Sequence, residues 1–169
     1  MTATPPLDFE LETDSMDAFW MDRALVLARG AQERGEVPVG ALIVNTLGQL
    51  IGQGSNRREE GDPLGHAELD AIRDAAAAIG DWRLEGTTMF VTLEPCAMCA
   101  GAIVNSRIDR LVFGAYDPKA GFCGSLGNLV NDPRLNHQVQ LSAGVRAEEA
   151  GEMLRGFFQR LRAKEISNR

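Results

Sequence analysis

The order of the predicted elements indicates an α/β protein with three layers, α-β-α, in which helices cover both faces of a mixed five-stranded sheet. Two observations predict this fold class. Short apolar stretches of strand length alternate along the chain with longer segments of helical pattern. The 169 residues, of which 44% are apolar and 24% charged, have the size and composition of one soluble globular domain.

The first half of the chain begins with a segment that has little structural signal. Residues 1–15 contain two prolines and four acidic residues without clear periodicity, so we expect a disordered acidic leader before one domain over 16–169. Ser15 is a suitable N-cap for a first helix that ends near Gly35. The elements expected next are a buried strand at 38–44, a turn at 45–48, a second strand at 49–55 and a polar loop at 56–65.

The second half of the chain alternates strands and helices. The Ala-rich segment 67–79 has high helix propensity and precedes Gly80, a residue type that often follows helix ends. The remaining predicted elements are a central strand at 87–93, a helix at 96–107, a strand at 110–115, a Gly-rich loop at 117–128 with a short helix from Ser125, a strand at 138–141 and an amphipathic helix at 147–164.

The formal net charge of −7 is distributed unevenly. Residues 1–17 contribute −5, whereas residues 155–169 contribute +4, and local charge governs phosphate contact more than the total does. The basic end would also complement the dipole of the last helix without any partner. No apolar run approaches the ~20 residues that cross a bilayer, and the first residues lack the pattern of a secretory signal. We therefore expect a cytoplasmic protein that does not enter a membrane.

Two short motifs carry the strongest chemical signal. HAE at 66–68 opens one predicted helix, and PCAMC at 95–99 opens the next. Since Cys96 and Cys99 are three residues apart at a helix start, both sulfurs can face one point. Two thiolates and the His66 imidazole suit Zn²⁺, and three protein ligands leave a fourth position for water, as in catalytic zinc sites. The odd number of cysteines, three, argues against a disulfide framework.

Glu68 lies two residues after His66 and would be redundant as a further metal ligand. Beside a metal-bound water it is placed to take a proton and deliver it elsewhere. Taken alone, Glu68 would be interpreted as an acidic residue that complements a helix dipole. The CxxC pair taken alone would be a redox pair or half of a zinc finger, and the lack of a second pair in the sequence disfavours the finger.

These motifs and several further segments resemble the bacterial TadA-type tRNA adenosine deaminases, which belong to the zinc-dependent cytidine deaminase-like superfamily. HAE and PCxxC mark only the superfamily. The segments that resemble this branch are DPKAG at 117–121, LNH at 135–137 and FFQRLR at 157–162. The resemblance extends from about Asp17 to Lys164.

The resemblance implies hydrolytic deamination of adenosine to inosine at the wobble position of a tRNA. It also implies one Zn²⁺ per chain and a homodimer that binds the tRNA anticodon stem-loop. His66, Cys96 and Cys99 would hold the zinc, and Glu68 would act as the catalytic proton shuttle. The implied substrate contacts are Asn56 and the Ala67 backbone N–H to the flipped base, Asp117 and Lys119 to sugar and phosphate, and Phe157 and Arg160 to the anticodon loop.

Two other functions stay open at this point. A deaminase of a free nucleobase or nucleoside, such as guanine or cytosine, would use the same metal site and the same Glu68, but would not need a basic C-terminal segment. A non-catalytic RNA-binding module stabilised by zinc is disfavoured, because a structural site fills its fourth position with a protein ligand. Apart from the resemblance, Asn56 and Asp117 would be interpreted as turn residues, and Cys123 as a buried thiol.

Overall fold

A computed structural model describes residues 7–168 and confirms the predicted fold class. In this part of the chain, four α-helices cover one five-stranded mixed sheet. The helices are α1 Leu7–Glu33, α2 Ala67–Ile79, α3 Ala97–Asn105 and α4 Ala147–Ser167. The strands are β1 Gly40–Val44, β2 Leu50–Ser55, β3 Thr88–Leu93, β4 Arg110–Ala115 and β5 Gln140–Ala143.

The strand order β2-β1-β3-β4-β5 places the two central parallel strands, β3 and β4, side by side. β1 runs antiparallel to both β2 and β3, whereas β4 and β5 are parallel. Because parallel strands end at the same edge, the segments that follow β3 and β4 leave the sheet together. The Glu94 N–H donates to the Ala115 carbonyl at 2.8 Å and extends this pairing by one residue. The functional site forms at this edge.

The helices divide between the two faces of the sheet. In β1, Ala41 and Ile43 pack toward α2 and α3, whereas Leu42 and Val44 pack toward α1, as the two-residue period of a strand requires. α4 lies on the α1 face, where Ala150 packs against Leu25 and Ala115. The sheet is therefore covered on both faces, as its parallel strands require.

Glycines in β2 allow α2 to lie unusually close to the sheet. A Cβ atom at Gly54 would overlap the backbone carbonyl of Ala67, and one at Gly52 would overlap that of Ala71. Larger residues at these positions would push α2 away from β2. This close approach fixes the N-terminus of α2, which carries the first motif, against the sheet.

The first helix begins earlier than predicted. α1 begins at Leu7, eight residues before the predicted N-cap Ser15, and so includes residues 7–15 of the segment expected to be disordered. The sequence LDFELETD over 7–14 is rich in Leu and Glu, residue types of high helix propensity. Residues 1–6 of the predicted leader lie outside the described residues.

The predicted short helix from Ser125 is wrong. Residues 116–139 form turns and two isolated bridges, because the Cys123–Asn128 bridge and the bond from the Gly124 N–H to the Gly127 carbonyl fold 123–128 into a tight turn. The other predicted bounds agree within three residues, and those of α2 and β4 coincide. Over residues 7–168, no helix combines the length and apolar character that a membrane crossing needs.

Candidate metal centre and active-site cavity

A cavity of about 700 Å³ opens at the edge of the sheet where β3 and β4 end. Its wall is built from residues before β1, the loop after β2, the N-termini of α2 and α3, the loop after β4 and one face of α4. The volume is in the range of small-molecule sites in proteins.

The three predicted metal ligands meet at the cavity floor. His66 is the N-cap of α2 and Cys96 is the N-cap of α3, and the two helix N-termini lie side by side at this floor. The His66 Nδ1 atom lies 3.7 Å from Cys96 Sγ and 3.5 Å from Cys99 Sγ, and all three ligand atoms are within 4.8 Å of one another. Tetrahedral zinc bonds of ~2.0–2.3 Å place ligand atoms ~3.3–3.8 Å apart, so the donor set fits zinc.

The protonation of the two sulfurs also points to a cation. The neighbouring Cys99 and His66 side chains lower the pKa of Cys96 to about 4, which favours the thiolate form of Cys96. The neighbouring Cys96 sulfur, together with burial, raises the pKa of Cys99 above its ordinary value, which favours the thiol form of Cys99. A divalent cation at this point would replace the thiol proton and allow both sulfurs to be ligands.

Glu68 lies at the cavity floor beside the metal ligands, two residues after His66. Glu68 is only 4% exposed, although it lies in the first turn of α2, where acidic residues commonly face solvent. Burial raises the pKa of the Glu68 carboxyl to about 7. A buried carboxyl group beside a metal centre, in a cavity that admits a ligand, is suited to exchange protons with that ligand.

Asn56 and Ala67 face the cavity together. Asn56 is 9% exposed, and its side-chain amide donates to the Glu36 carboxylate over 3.4 Å. Because a carboxylate only accepts hydrogen bonds, Glu36 orients the Asn56 amide with its nitrogen toward Glu36. Ala67 is the first residue of α2, so its N–H is among those that a helix leaves unpaired.

Ion pairs hold the Asn56 loop against α2. The adjacent Arg57 donates from Nε and Nη2 to the two Asp70 carboxylate oxygens at 2.6 and 2.9 Å. Its Nη1 lies 2.9 Å from an Asp62 oxygen. Arg57 therefore connects the loop to α2 through ion pairs, whereas its neighbour Arg58 lines the cavity.

The loop after β4 forms the opposite wall. Asp117, Lys119 and Tyr116 line the cavity, and the Asp117 carboxylate accepts from the Lys119 N–H at 3.0 Å. The loop is attached to Glu94, which is 2% exposed. Burial alone would raise the pKa of Glu94, but hydrogen bonds from Ser125, Asp117 and Cys123 hold it below its ordinary value.

The last helix presents two different faces. Arg155, Phe158 and Arg162 line the active-site cavity. Arg160 instead lines a smaller groove between α1 and α4, and Phe157 contacts Phe158 ring edge to face but is not part of the cavity lining. The structure therefore brings together His66, Cys96, Cys99, Glu68, Asn56, Ala67, Asp117 and Lys119, and leaves Phe157 and Arg160 outside this group.

Sequence reasoning did not predict site roles for Glu94 or Tyr116. It does predict that Phe158 packs or stacks beside RNA-binding arginines of the last helix, and the helical spacing places Arg155, Phe158 and Arg162 on one face of α4. Glu94 carried only the weak signal of an acidic residue directly after an apolar strand. Cys123 is 1% exposed and lies outside the group of ligand atoms, as expected for a buried thiol.

The fold and the site together define a deaminase of the cytidine deaminase-like class. The features that define it are the mixed five-stranded sheet, His-x-Glu at one helix start and Pro-Cys-x-x-Cys at the next. Residues 16–162 match the family model of the MafB19-like deaminases.

Comparison with individual proteins identifies the family within this class to which the chain belongs. The chain is 48% identical to the tRNA-specific adenosine deaminase of Bacillus subtilis (strain 168) over 156 residues, which are 92% of this chain and 96% of that protein. A structure from a study of A-to-I editing by tRNA:A34 deaminases at the wobble position of transfer RNA has a TM-score of 0.75 and 45% identity, covering 79% of this chain and 97% of that chain. The chain belongs to the family of tRNA-specific adenosine deaminases.

A more distant structure shows the fold alone. The guanine deaminase from Nitrosomonas europaea has a TM-score of 0.69 and 24% identity, covering 81% of each chain. At this identity the likeness concerns the arrangement of helices and strands and does not extend to the substrate.

Proposed function

We propose that the protein hydrolyses adenosine to inosine at the wobble position of a tRNA anticodon, with one Zn²⁺ held by His66, Cys96 and Cys99. The observation that carries this proposal is the meeting of three ligand atoms, a buried carboxyl group and an amide-bearing Asn56 in one cavity. Membership of the family of tRNA-specific adenosine deaminases supports the choice of substrate.

The reaction consumes one water and releases one ammonia. Zinc, when bound, supplies a Lewis acid that lowers the pKa of water. Glu68 takes one proton from the attacking water as the new C6–O bond forms and passes it to the ring nitrogen N1. It then takes the remaining hydroxyl proton and passes it to the amino group, so that C6 becomes a carbonyl and the C6–N bond breaks with release of ammonia.

Recognition of the base rests on Asn56 and on the start of α2, which line the same cavity as Glu68. An adenine edge offers a donor and an acceptor together, and the Asn56 amide offers the complementary pair. Glu36 limits the orientations that this amide adopts. The unpaired N–H of Ala67, at the positive end of α2, is a further donor toward the bound base.

Cations around the cavity favour a polyanionic substrate in spite of the net charge of −7. Arg58, Lys119, Arg155 and Arg162 all line the cavity, on three different elements. We propose that Asp117 and Lys119 contact sugar and phosphate beside the target base. Bases of an anticodon loop are already unpaired, so extruding one into the cavity costs little.

The decisive experiment compares substrates. Purified protein is incubated with an anticodon stem-loop that carries adenosine at the wobble position, and separately with free adenosine, guanine and cytidine. We expect inosine in the stem-loop only. Deamination of a free base or nucleoside with an unchanged stem-loop would replace this proposal with a small-molecule deaminase. Binding of the stem-loop without turnover of any substrate would indicate a non-catalytic RNA-binding module.

We further propose that the protein is a homodimer of the cytoplasm. The dimer follows from the resemblance to the tRNA deaminases, and the location from the proposed substrate and from metal-binding thiols that require reducing conditions. Light scattering of the purified zinc protein at micromolar concentration should give twice the 18.3 kDa mass of one chain. A mass of one chain at all concentrations tested would contradict the dimer.

A further inference from the structure

The buried carboxylate of Glu94 has no role in the reaction described above, although it borders the cavity. It lies one residue beyond β3 and two residues before Cys96. Its oxygens accept hydrogen bonds from the backbone N–H groups of Asp117 at 2.9 Å, Cys123 at 3.1 Å and Ser125 at 2.9 Å. A fourth hydrogen bond comes from the Ser125 hydroxyl. The Glu94 side chain thus forms hydrogen bonds to both ends of the loop 117–125.

The loop is folded tightly around this carboxylate. A Cβ atom at Gly121 would overlap the Glu94 carboxylate, and it would also approach the Asp117 carbonyl to 2.6 Å. The Gly121 N–H donates to the same carbonyl at 2.9 Å and closes the turn that carries Lys119. Any side chain at position 121 would therefore separate the loop from Glu94.

The same loop pairs with the segment that carries the metal ligands. Gly121 forms an antiparallel bridge with Cys96, and the Phe122 N–H donates to the Pro95 carbonyl at 2.9 Å. These contacts attach the middle of the loop to the metal centre, whereas Glu94 attaches its two ends. The position of Asp117 and Lys119 relative to the metal ligands therefore depends on both sets of contacts.

We propose that Glu94 is a positioning residue for substrate binding, which holds the loop so that Asp117 and Lys119 reach the sugar and phosphate beside the target base. This inference rests on the proposed function for its substrate, but its structural part concerns the loop alone. Glu94 acts through the loop and contacts neither the base nor the metal ligands' reactive atoms. Because four donors converge on one carboxylate, no neutral side chain reproduces its role.

Two variants disturb the contact from opposite sides. Glu94→Gln keeps the shape of the side chain but replaces one acceptor oxygen with a donor, which opposes at least one of the loop N–H groups. Gly121→Ala leaves Glu94 intact and pushes the loop away from it. We expect both to raise KM for the anticodon stem-loop about tenfold with kcat changed by less than about threefold, since hydrogen bonds to a charged group are lost. Zinc per chain should stay as in the wild type.

Hydrogen exchange provides a readout that does not need turnover. In both variants the amides of Asp117, Cys123 and Ser125 should exchange faster, whereas those of α2 should not change. Gly101→Ala is the matched control, because a Cβ atom at Gly101 in α3 meets nothing within 4 Å. If Glu94→Gln fails to fold, Ser125→Ala, which removes only the hydroxyl bond, should show the same changes to a smaller extent.

The outcomes separate the two proposals. Unchanged loop exchange and unchanged KM in both variants would overturn the role of Glu94. Loss of zinc in step with loss of activity would also overturn it, since Glu94 would then support the metal ligands and not the substrate loop. An inactive wild type would count against the proposed function, while the exchange measurement would still decide whether Glu94 orders the loop.

Discussion

The floor and the rim of the active-site cavity are specified by the chain in different ways. The floor consists of His66, Glu68, Cys96 and Cys99, which belong to two short motifs at the starts of α2 and α3. The rim consists of the loop after β4 and one face of α4, whose positions depend on contacts between distant parts of the chain. The positions of the reactive groups thus follow from short sequence motifs, whereas the positions of the rim residues follow from contacts between segments far apart in the sequence.

This difference predicts that changes in the floor abolish the reaction and changes in the rim weaken binding. In the floor each group has one task, and a neighbour cannot take it over. Under the proposed function, several cations of the rim would share the contact with phosphate, so each would contribute a part.

Replacing a metal ligand should have the largest effect. His66→Ala, Cys96→Ala and Cys99→Ala should each lose the metal and reduce deamination of the stem-loop below detection, because three ligands are already the minimum for a catalytic zinc site. The measurement is zinc per chain by elemental analysis. Cys123→Ala is the control and should keep its zinc, since Cys123 lies outside the ligand group. Full zinc in Cys96→Ala would contradict the ligand assignment.

Removing the carboxyl group of Glu68 should reduce the rate of the chemical step without changing the zinc content. Glu68→Gln should fold, retain zinc and lose ~10²–10⁴-fold in kcat, because a proton shuttle is removed while the side-chain shape is kept. Single-turnover kinetics with the stem-loop measures the loss, and binding of the stem-loop should be unchanged. A variant with near wild-type kcat would reduce Glu68 to an acidic residue that complements the helix dipole.

The contrast also explains how far the sequence predicts this protein. The bounds of α2 were predictable because an Ala-rich segment ends at Gly80, which adopts a left-handed conformation with φ of 78°. The start of α1 was not, because the prolines and acidic residues before Ser15 masked a segment with helix propensity. The attachment of the loop to Glu94 involves partners 23 to 31 residues apart, which no local pattern reveals.

The two faces of α4 offer a test at the rim. Arg155→Gln/Arg162→Gln should weaken stem-loop binding and flatten the dependence of log Kd on log salt by about 1.4, since each lost phosphate contact to a single strand removes ~0.7. Arg160→Gln should change the slope less, because Arg160 lines the separate groove between α1 and α4. Fluorescence anisotropy with a labelled stem-loop measures both. A larger change in Arg160→Gln would instead support the contacts implied by the resemblance, Phe157 and Arg160.

The smallest expected effect distinguishes two adjacent arginines that the sequence alone cannot separate. Arg58 lines the cavity with its side chain 56% exposed, whereas Arg57 is held by Asp62 and Asp70. Arg58→Gln should therefore reduce the salt slope of stem-loop binding by ~0.7 with little change in Tm. Arg57→Gln should lower Tm and leave the slope unchanged, because its charge is already paired within the protein. Salt titrations and thermal melts of the two variants make the comparison, and equal slopes for both would show that the ion pairs of Arg57 do not withhold it from RNA.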